Sequence, residues 1–325
     1  MSRLNDLSRL SRGARLKAGC GIALIAGVIV LAIGLPWCSG LVRSALPQVP
    51  WLQPDASATT RTWSFDPSTV TGLDIEDTAD DVEITNGDTA NGGIEVTATH
   101  RRDAPAPSCA VEDGTLRIDR HPRRSHRGFQ SDPLQFLWSR GTGRGATGDE
   151  RLRVRLPPEK LGAARLDHVK VSAGASDCRL DGVSCGSCEL SITAGDLKVD
   201  GLSTDHLSLD ATSGSIRMRG TVAEELGIKL TAGKVTAVCE SSAPRSLTCS
   251  LTTGEATIEL PADTGFTAHV ETTLGDFSTD FKTSDRRDEH GRSRVLRTGD
   301  GSASIEARLT VGKMRLMKTG AGDER

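Results

Sequence analysis

The chain has 325 residues, enough for one large domain or two ordinary ones, and contains 35 glycines but only six Phe, four Trp and no Tyr. With 26% charged residues and many aliphatic ones it is not a wholly disordered chain, and its net charge of −3 gives no reason to expect nucleic acid as a partner. Abundant glycine with few aromatic rings predicts tight turns around aliphatic strands.

The first predicted element is a transmembrane helix at residues 18–37, which carry no charged side chain. At about 1.5 Å per residue this segment is roughly 30 Å long, the thickness of the hydrocarbon layer of a bilayer. The preceding tail, residues 1–17, has five basic residues and one aspartate. The positive-inside rule therefore predicts a single-pass protein of the cell membrane, with its N-terminus cytoplasmic and its C-terminal domain extracytoplasmic.

Two other interpretations of this segment are weaker. A cleavable signal peptide has an apolar region of about 7–15 residues and a small-residue cleavage site, whereas this segment is longer and Cys38-Ser39-Gly40 is a poor site. A lipoprotein has its apolar stretch before the modified cysteine, and here that stretch follows Cys20. Gly19, Ala23 and Gly27 form a small-residue row that could support a weak homodimer through this helix.

An extended stalk is predicted at residues 38–61, which contain Pro47, Pro50 and Pro54 among small polar residues. After it, several segments alternate apolar and polar residues, the pattern of half-buried β-strands. They lie at 73–85, 93–100, 114–121 and 151–157.

A repeated sequence motif follows, in which a short segment rich in Ser, Thr or Ala ends in glycine. These glycines, predicted to be corners, are spaced by 19 or 21 residues: Gly174, Gly195, Gly214, Gly233, Gly254 and Gly275. Apolar residues alternate with polar ones on both sides of each glycine, which predicts two short strands per repeat. Stacked repeats share one core, so we predict an all-β fold, a single elongated β-solenoid at 62–320 followed by a tail at 321–325. A β-sandwich is the alternative that the regular period disfavours.

The sequence resembles the bacterial putative-adhesin family, a domain of unknown function with glycine-cornered β repeats. The resemblance rests on RLRVRLP at 151–157, on the repeats at 191–220 and on the closing segment 299–318. It implies an extracytoplasmic β-solenoid, often joined to membrane segments, with adhesion or envelope-stress roles. The family has no catalytic residues to transfer, and it explains neither the cysteines after the transmembrane segment nor the basic insertion.

Cys20 and Cys38 flank the predicted transmembrane segment, and six further cysteines lie in the predicted solenoid domain. An even number in a domain outside the membrane indicates disulfides. Cys178 and Cys188 are ten residues apart, as are Cys239 and Cys249, which predicts these two pairs and leaves Cys109 with Cys185. The alternative is a redox or metal-binding CxxC at Cys185 and Cys188. It lacks both the helical context of redox motifs and a second CxxC for zinc.

A basic insertion at 121–150 is the most unusual segment outside the repeats. Loops of this length are either functional or disordered. Basic residues beside aromatic ones could bind an anionic cell-wall polymer, anionic lipid or an acidic surface protein. The candidate binding residues are Arg123, Arg124, Arg127, Phe136, Trp138 and Arg140.

No catalytic, cofactor-binding or metal-binding residues are predicted, because hydrolase, zinc-protease and phosphate-loop spacings are absent from the sequence. The acidic cluster between Asp74 and Asp81 lacks the spacing of a calcium loop. We therefore expect an adhesin-like binding or scaffold protein that is not an enzyme and needs no cofactor. The alternatives are an envelope-stress regulatory component and a carbohydrate-active β-helix enzyme.

Overall fold

The computed structural model describes residues 58–77, 81–89, 92–101, 106–120, 150–158, 165–287 and 293–319. All of them belong to one compact unit of the chain. They form β-strands and turns, with a single 3-10 turn at Pro67–Thr69. The N-terminal tail, the predicted transmembrane segment, most of the predicted stalk and residues 121–149 of the insertion lie outside the described residues.

The described residues form fifteen strands, and the first, at Ala58, takes up the last residues of the predicted stalk. In chain order they are β1 (Ala58–Phe65), β2 (Gly72–Asp77), β3 (Asp81–Asn86), β4 (Ile94–Arg101), β5 (Ser108–Glu112), β6 (Thr115–Asp119), β7 (Arg151–Leu156), β8 (Leu166–Ala175), β9 (Cys178–Asp181), β10 (Ser184–Cys239), β11 (Ser246–Leu260), β12 (Phe266–Thr279), β13 (Ser284–Arg287), β14 (Ser293–Thr298) and β15 (Ala303–Lys318).

Strand β10 shows that the repeats wind as a solenoid. It pairs in parallel with β8 at its start and with β11 at its end. Between these ends it passes three successive corners, where Gly214 lies against Gly195 and Gly233 lies against Gly214. One continuous strand therefore makes several stacked coils, and the prediction of an all-β solenoid is confirmed.

The core is aliphatic because every second residue of a coil points inwards. Leu190, Leu209 and Ile228, which occupy the same position in three coils, are completely buried. A second row follows the corner, where Leu197, Ile216 and Val235 are almost completely buried. Burial of this surface from water supplies the main stabilisation, and the unbroken stack of coils shares it.

A column of glycines forms the corner of the central coils. Gly195, Gly214, Gly233, Gly254 and Gly312 have φ angles of 141°, 126°, 141°, 135° and 133°. A Cβ added to Gly233 would overlap the carbonyl oxygen of Gly214 in the preceding coil. Glycine is needed here for two reasons at once, the positive φ and the approach of the neighbouring backbone.

The predicted first corner at Gly174 is wrong by two residues. The register pairs Ile192 with Ala173 and Ala194 with Ala175, which places Ser176 beside Gly195. Gly174 therefore lies before the corner, and the serine takes the corner position. The prediction failed because it aligned the glycines, whereas the coil is aligned by its buried alternation.

The order of the coils departs from the order of the chain at both ends. Strand β15 pairs with β11 on one side and with β12 on the other, so the last strand lies between two earlier ones. Gly312 thus separates Gly254 from Gly275 in the corner column. At the opposite end, β2 lies between β6 and β8, and β3 lies between β7 and β9.

Antiparallel strands cover the terminal coils. At one end β4 pairs with β7 and β1 with β4, while β5 pairs with β6. At the other end β14 pairs with β12 and the four-residue β13 with β14. Strand β13 carries Asp285, Arg286 and Arg287. A short, charged edge strand of this kind discourages pairing with another chain.

Replacement of Gly233 by alanine tests the corner column. We expect G233A to lower the free energy of unfolding by about 1–3 kcal/mol, because a side chain is strained at this φ and overlaps the preceding coil. The matched control is G227A in the same strand, where the nearest atom is 3.8 Å from the added Cβ and φ is not positive. Urea unfolding measures both, and equal midpoints for the two variants would contradict the role of the corner.

Candidate functional site

The predicted binding residues of the basic insertion lie outside the described residues, but the two ends of the insertion are visible. The backbone N–H of Arg120 donates to the Glu76 carbonyl at 3.1 Å, and the N–H of Asp81 donates to the Glu150 carbonyl at 3.4 Å. The mostly buried guanidinium of Arg120 lies 3.9 Å from the Glu150 carboxylate. Both ends of the insertion are thus fixed to the coil made by β2 and β3.

Buried polar groups surround these two ends. Asp77 is 3% exposed and His100 is 5% exposed. Asp77 follows Glu76, the partner of Asp119 on β6, so it is next to Arg120. His100 follows Thr99, the partner of Arg151 on β7, so it is next to Glu150. Ionisable residues from four segments therefore meet where the insertion leaves the solenoid.

An open polar groove of about 550 Å³ lies among the loops at one edge of the solenoid. Three loops form it: the loop before β11, the loop before β12 and the loop before β15. Its lining is Ser241, Ser242, Ala243, Pro244, Arg245, Pro261, Asp263, Thr264, Gly265, Gly299, Asp300, Ser302 and Ala303. We call this feature the loop groove.

Backbone hydrogen bonds hold the three loops side by side. The N–H of Ser304 donates to the Arg245 carbonyl at 2.8 Å, and the N–H of Ala303 donates to the Gly265 carbonyl at 3.0 Å. The Ser302 hydroxyl also donates to the Gly265 carbonyl, at 3.2 Å. The loop before β15 is therefore the middle wall of the groove, which gives the groove a fixed shape.

The polar atoms of the loop groove are hydroxyls, carboxylates and one guanidinium. The Ser302 N–H donates to Asp300 at 3.0 Å, and this bond lowers the pKa of the Asp300 carboxyl. Asp300 is therefore an anion at neutral pH. The Arg245 guanidinium is 2.9 Å from the Glu224 carboxylate. No aromatic residue lines the groove, so recognition there depends on hydrogen bonds.

Sequence analysis did not predict the loop groove. Its residues come from three turns that are far apart in the chain, and each turn has the ordinary Ser, Pro, Asp and Gly composition of a connection between strands. The signal that could have found it is the stacking of these turns, which follows only from the insertion of β15 between β11 and β12.

The six described cysteines are free thiols, so the three predicted disulfides are not present. The pairing of Cys109 with Cys185 is excluded by distance. Cys109 lies on β5, and β6, β2 and β8 separate it from β10, a distance of about 19 Å at roughly 4.8 Å per strand. A disulfide spans Cα atoms that are less than about 7 Å apart.

The other two predicted pairs rested on equivalent positions in the repeat, and the observed register removes this equivalence. Cys178 pairs with Leu197, two residues after the corner at Gly195, whereas Cys239 lies six residues after the corner at Gly233. Burial raises the pKa of each of the thiols of Cys109, Cys178, Cys239 and Cys249 to about 12. These side chains behave as small apolar residues of the core.

Cys185 and Cys188 differ from the other cysteines because each changes the pKa of the other: the interaction lowers the pKa of Cys185 and raises that of Cys188. Both are buried, and Cys185 lies 3.7 Å from the hydroxyl of Thr204 in the next coil. The sequence had suggested this CxxC only as an alternative to the disulfides.

No three His, Cys, Asp or Glu side chains stand close enough to hold a metal ion within the described part of the chain. The same residues contain no helix long and apolar enough to cross a bilayer, and the predicted segment at 18–37 is not among them.

Comparisons with known proteins identify the architecture. The model of a family described as Toastrack DUF4097 matches residues 70–313. Among curated proteins, no sequence matches the chain.

Solved structures of similar proteins are distant. A putative adhesin from Parabacteroides merdae has 13% identity and a TM-score of 0.36, over 81% of this chain and 97% of its own. A putative lipid binding protein from Parabacteroides distasonis has 12% identity and a TM-score of 0.35, over 82% and 96%. A putative cell adhesion protein from Clostridium sporogenes has 12% identity and a TM-score of 0.28, over 81% and 100%.

Alkylation of Cys239 and Cys249 tests whether they are free. We expect both to react with iodoacetamide at pH 8 at least about tenfold more slowly in the native protein than in the denatured protein, because burial keeps the thiols protonated. In denaturant without reductant, peptide mapping should find both fully alkylated. A requirement for reductant would restore the predicted disulfide and contradict the free thiols.

Proposed function

The chain belongs to the Toastrack DUF4097 family, and from this premise we propose that it is an adhesin-like binding module of the cell envelope that acts without catalysis. The observation that carries the proposal is the loop groove, a fixed, open and polar surface at one edge of the solenoid. A groove of this kind can hold part of a long ligand while the rest of the ligand continues into solvent.

The chemistry of the loop groove favours a hydroxyl-rich polymer. The hydroxyls of Ser242 and Thr264 can both donate and accept hydrogen bonds, and the carboxylates of Asp263 and Asp300 accept them. Sugar hydroxyls match this mixture of donors and acceptors. We therefore propose a cell-wall glycan as the ligand.

Charge argues against an anionic ligand in the same place. The positive charge of Arg245 is offset by the Glu224 carboxylate at 2.9 Å, which leaves the charge of Asp263 and Asp300. A phosphate headgroup would meet this negative charge at close range. Anionic lipid or an acidic surface protein would instead bind the basic insertion, whose charge is opposite to theirs.

Attachment to the membrane completes the proposed function. Residues 18–37 would hold the chain in the bilayer, the basic residues before them would remain in the cytoplasm, and the solenoid would face the cell wall. A binding module held in this way would link the membrane to the wall polymer.

Paired substitutions test the loop groove. We expect the double variant D263A/S242A to bind purified wall glycan at least about tenfold more weakly than the unchanged chain, because it loses one charged and one neutral hydrogen-bonding group. Co-sedimentation with insoluble peptidoglycan measures the binding. The matched control is D210A/S208A on the exposed face of β10, which should bind as the unchanged chain does.

A third variant separates the groove from the insertion. Deletion of residues 121–149 should leave glycan binding within about twofold of the unchanged chain. If this deletion abolishes binding while D263A/S242A retains it, the groove is not the site. Anionic vesicles serve as a second ligand in the same assay, and groove-dependent binding to vesicles would contradict a glycan.

Removal of residues 1–37 tests the anchor. We expect the shortened chain to move from the membrane pellet to the supernatant after cell fractionation, because it lacks the apolar segment. The variant without residues 121–149 should stay in the pellet. The insertion should also be cleaved by protease added to intact cells, and its protection would contradict an extracytoplasmic domain.

A further inference from the structure

Cys185 and Cys188 lie on either side of a bend in the coil. They are three residues apart, so strict alternation would place them on opposite faces of a strand. Both are nevertheless buried, while Gly186 and Ser187 between them are half-buried. The chain therefore turns at this point and directs both side chains into the core.

The bend recurs in the next coil, where Thr204 and Leu207 are also both buried three residues apart. The Thr204 hydroxyl is 3.1 Å from the carbonyl oxygen of Gly186 and 3.7 Å from the sulfur of Cys185. This side chain links the two coils at the bend. It fixes the backbone between the two cysteines and places a polar group beside the first of them.

The two cysteine side chains enter the core at the same bend and have different surroundings. The hydrogen bond from Cys188, and to a smaller extent Thr204 and the charge of Arg165, lowers the pKa of Cys185 against the effect of burial. The same hydrogen bond, with burial, raises the pKa of Cys188. Cys185 is therefore the better nucleophile, and Cys188 keeps its proton until a partner sulfur is available.

Arg165 contributes to this arrangement from the surface. Its guanidinium donates to the carbonyl oxygen of Cys185 and also lies 3.2 Å from the Asp205 carboxylate. The side chain is less than half exposed. The positive charge of Arg165 lowers the pKa of Cys185, and the negative charge of its partner Asp205 raises it.

A small cavity adjoins the residues that flank Cys185. Its volume is about 40 Å³, and its lining includes Arg165, Leu166, Val183 and Ser184. Leu166 is the strand partner of Cys185, and Ser184 precedes it in the chain. A cavity of this size holds a few water molecules, and Cys185 is next to its lining without being part of it.

We propose that Cys185 and Cys188 form a redox-active dithiol that a small hydroperoxide converts to a disulfide. The Cys185 thiolate attacks the peroxide, which gives a sulfenic acid at Cys185 and releases hydroxide. The sulfur of Cys188 then attacks the Cys185 sulfur and loses its proton, and water leaves as the S–S bond forms. Overall, two thiols lose two electrons and two protons, and hydrogen peroxide is reduced to two molecules of water. The site is independent of the loop groove.

Tryptic peptides distinguish this bond from the other possible bonds. Cleavage after Arg179 and Lys198 leaves Cys185 and Cys188 together in peptide 180–198, whereas Cys178 is in peptide 171–179. The full chain is reduced, exposed to hydrogen peroxide, blocked with N-ethylmaleimide and digested. We expect peptide 180–198 to lose two hydrogens and to take up no maleimide, and dithiothreitol should restore two reactive thiols.

Single variants test the order of the two steps. C188S should accumulate a sulfenic acid at Cys185 that dimedone captures, and C185S should accumulate none at Cys188. C178S is the matched control from the neighbouring coil, and it should form the bond in peptide 180–198 at the rate of the unchanged chain. A bond between peptides 171–179 and 180–198 would overturn the proposal. So would two thiols that remain alkylatable after a peroxide exposure sufficient to oxidise glutathione in the same tube.

Discussion

The approach of backbone to backbone at the glycine corner is the constraint on which the rest of the solenoid depends. At Gly214, Gly233 and Gly254 the space for a side chain is occupied by the carbonyl oxygen of the preceding coil. Each corner therefore fixes how far the next coil can be shifted along the one below it. With the corners aligned, the aliphatic residues before and after them fall into continuous rows, and the turns between coils stack at one edge.

Sequence periodicity predicted the central coils because their corners are glycines with a constant spacing. Leu209 and Ile228 fall in one row in the structure, as their distance from Gly214 and Gly233 indicates. The first coil could not be predicted in the same way, since Ser176 holds its corner and Gly174 lies two residues away. The order of the last coils also could not be predicted. Alternation shows that 303–318 is a strand, but it contains nothing that places this strand between β11 and β12.

The candidate sites, like the coils, could be predicted from the sequence only in part. The sequence identified six cysteines of interest, and equal spacing suggested the pairs Cys178–Cys188 and Cys239–Cys249. In the observed register these two pairs do not occupy equivalent positions. Cys185 and Cys188 both point into the core because the chain bends between them, so apolar and polar residues do not alternate at this point. A periodic sequence pattern does not show where such a bend occurs. The loop groove was missed because Ser242, Asp263 and Asp300 are individually ordinary turn residues. Only the stacking of their loops makes them a surface. The basic insertion stays a prediction, with its two ends held by buried charges.

The position of β15 also bears on biosynthesis. Because β11 and β12 meet only through this final strand, a nascent chain holds two unsatisfied strand edges until residue 318 has left the ribosome. Pairing of segments so distant in sequence is slow, and exposed edges during that delay are prone to aggregation. A nonsense mutation near codon 300 would thus be far more harmful than the loss of a few terminal residues suggests. The sixteen residues of β15 are therefore needed to pair the open edges of both β11 and β12.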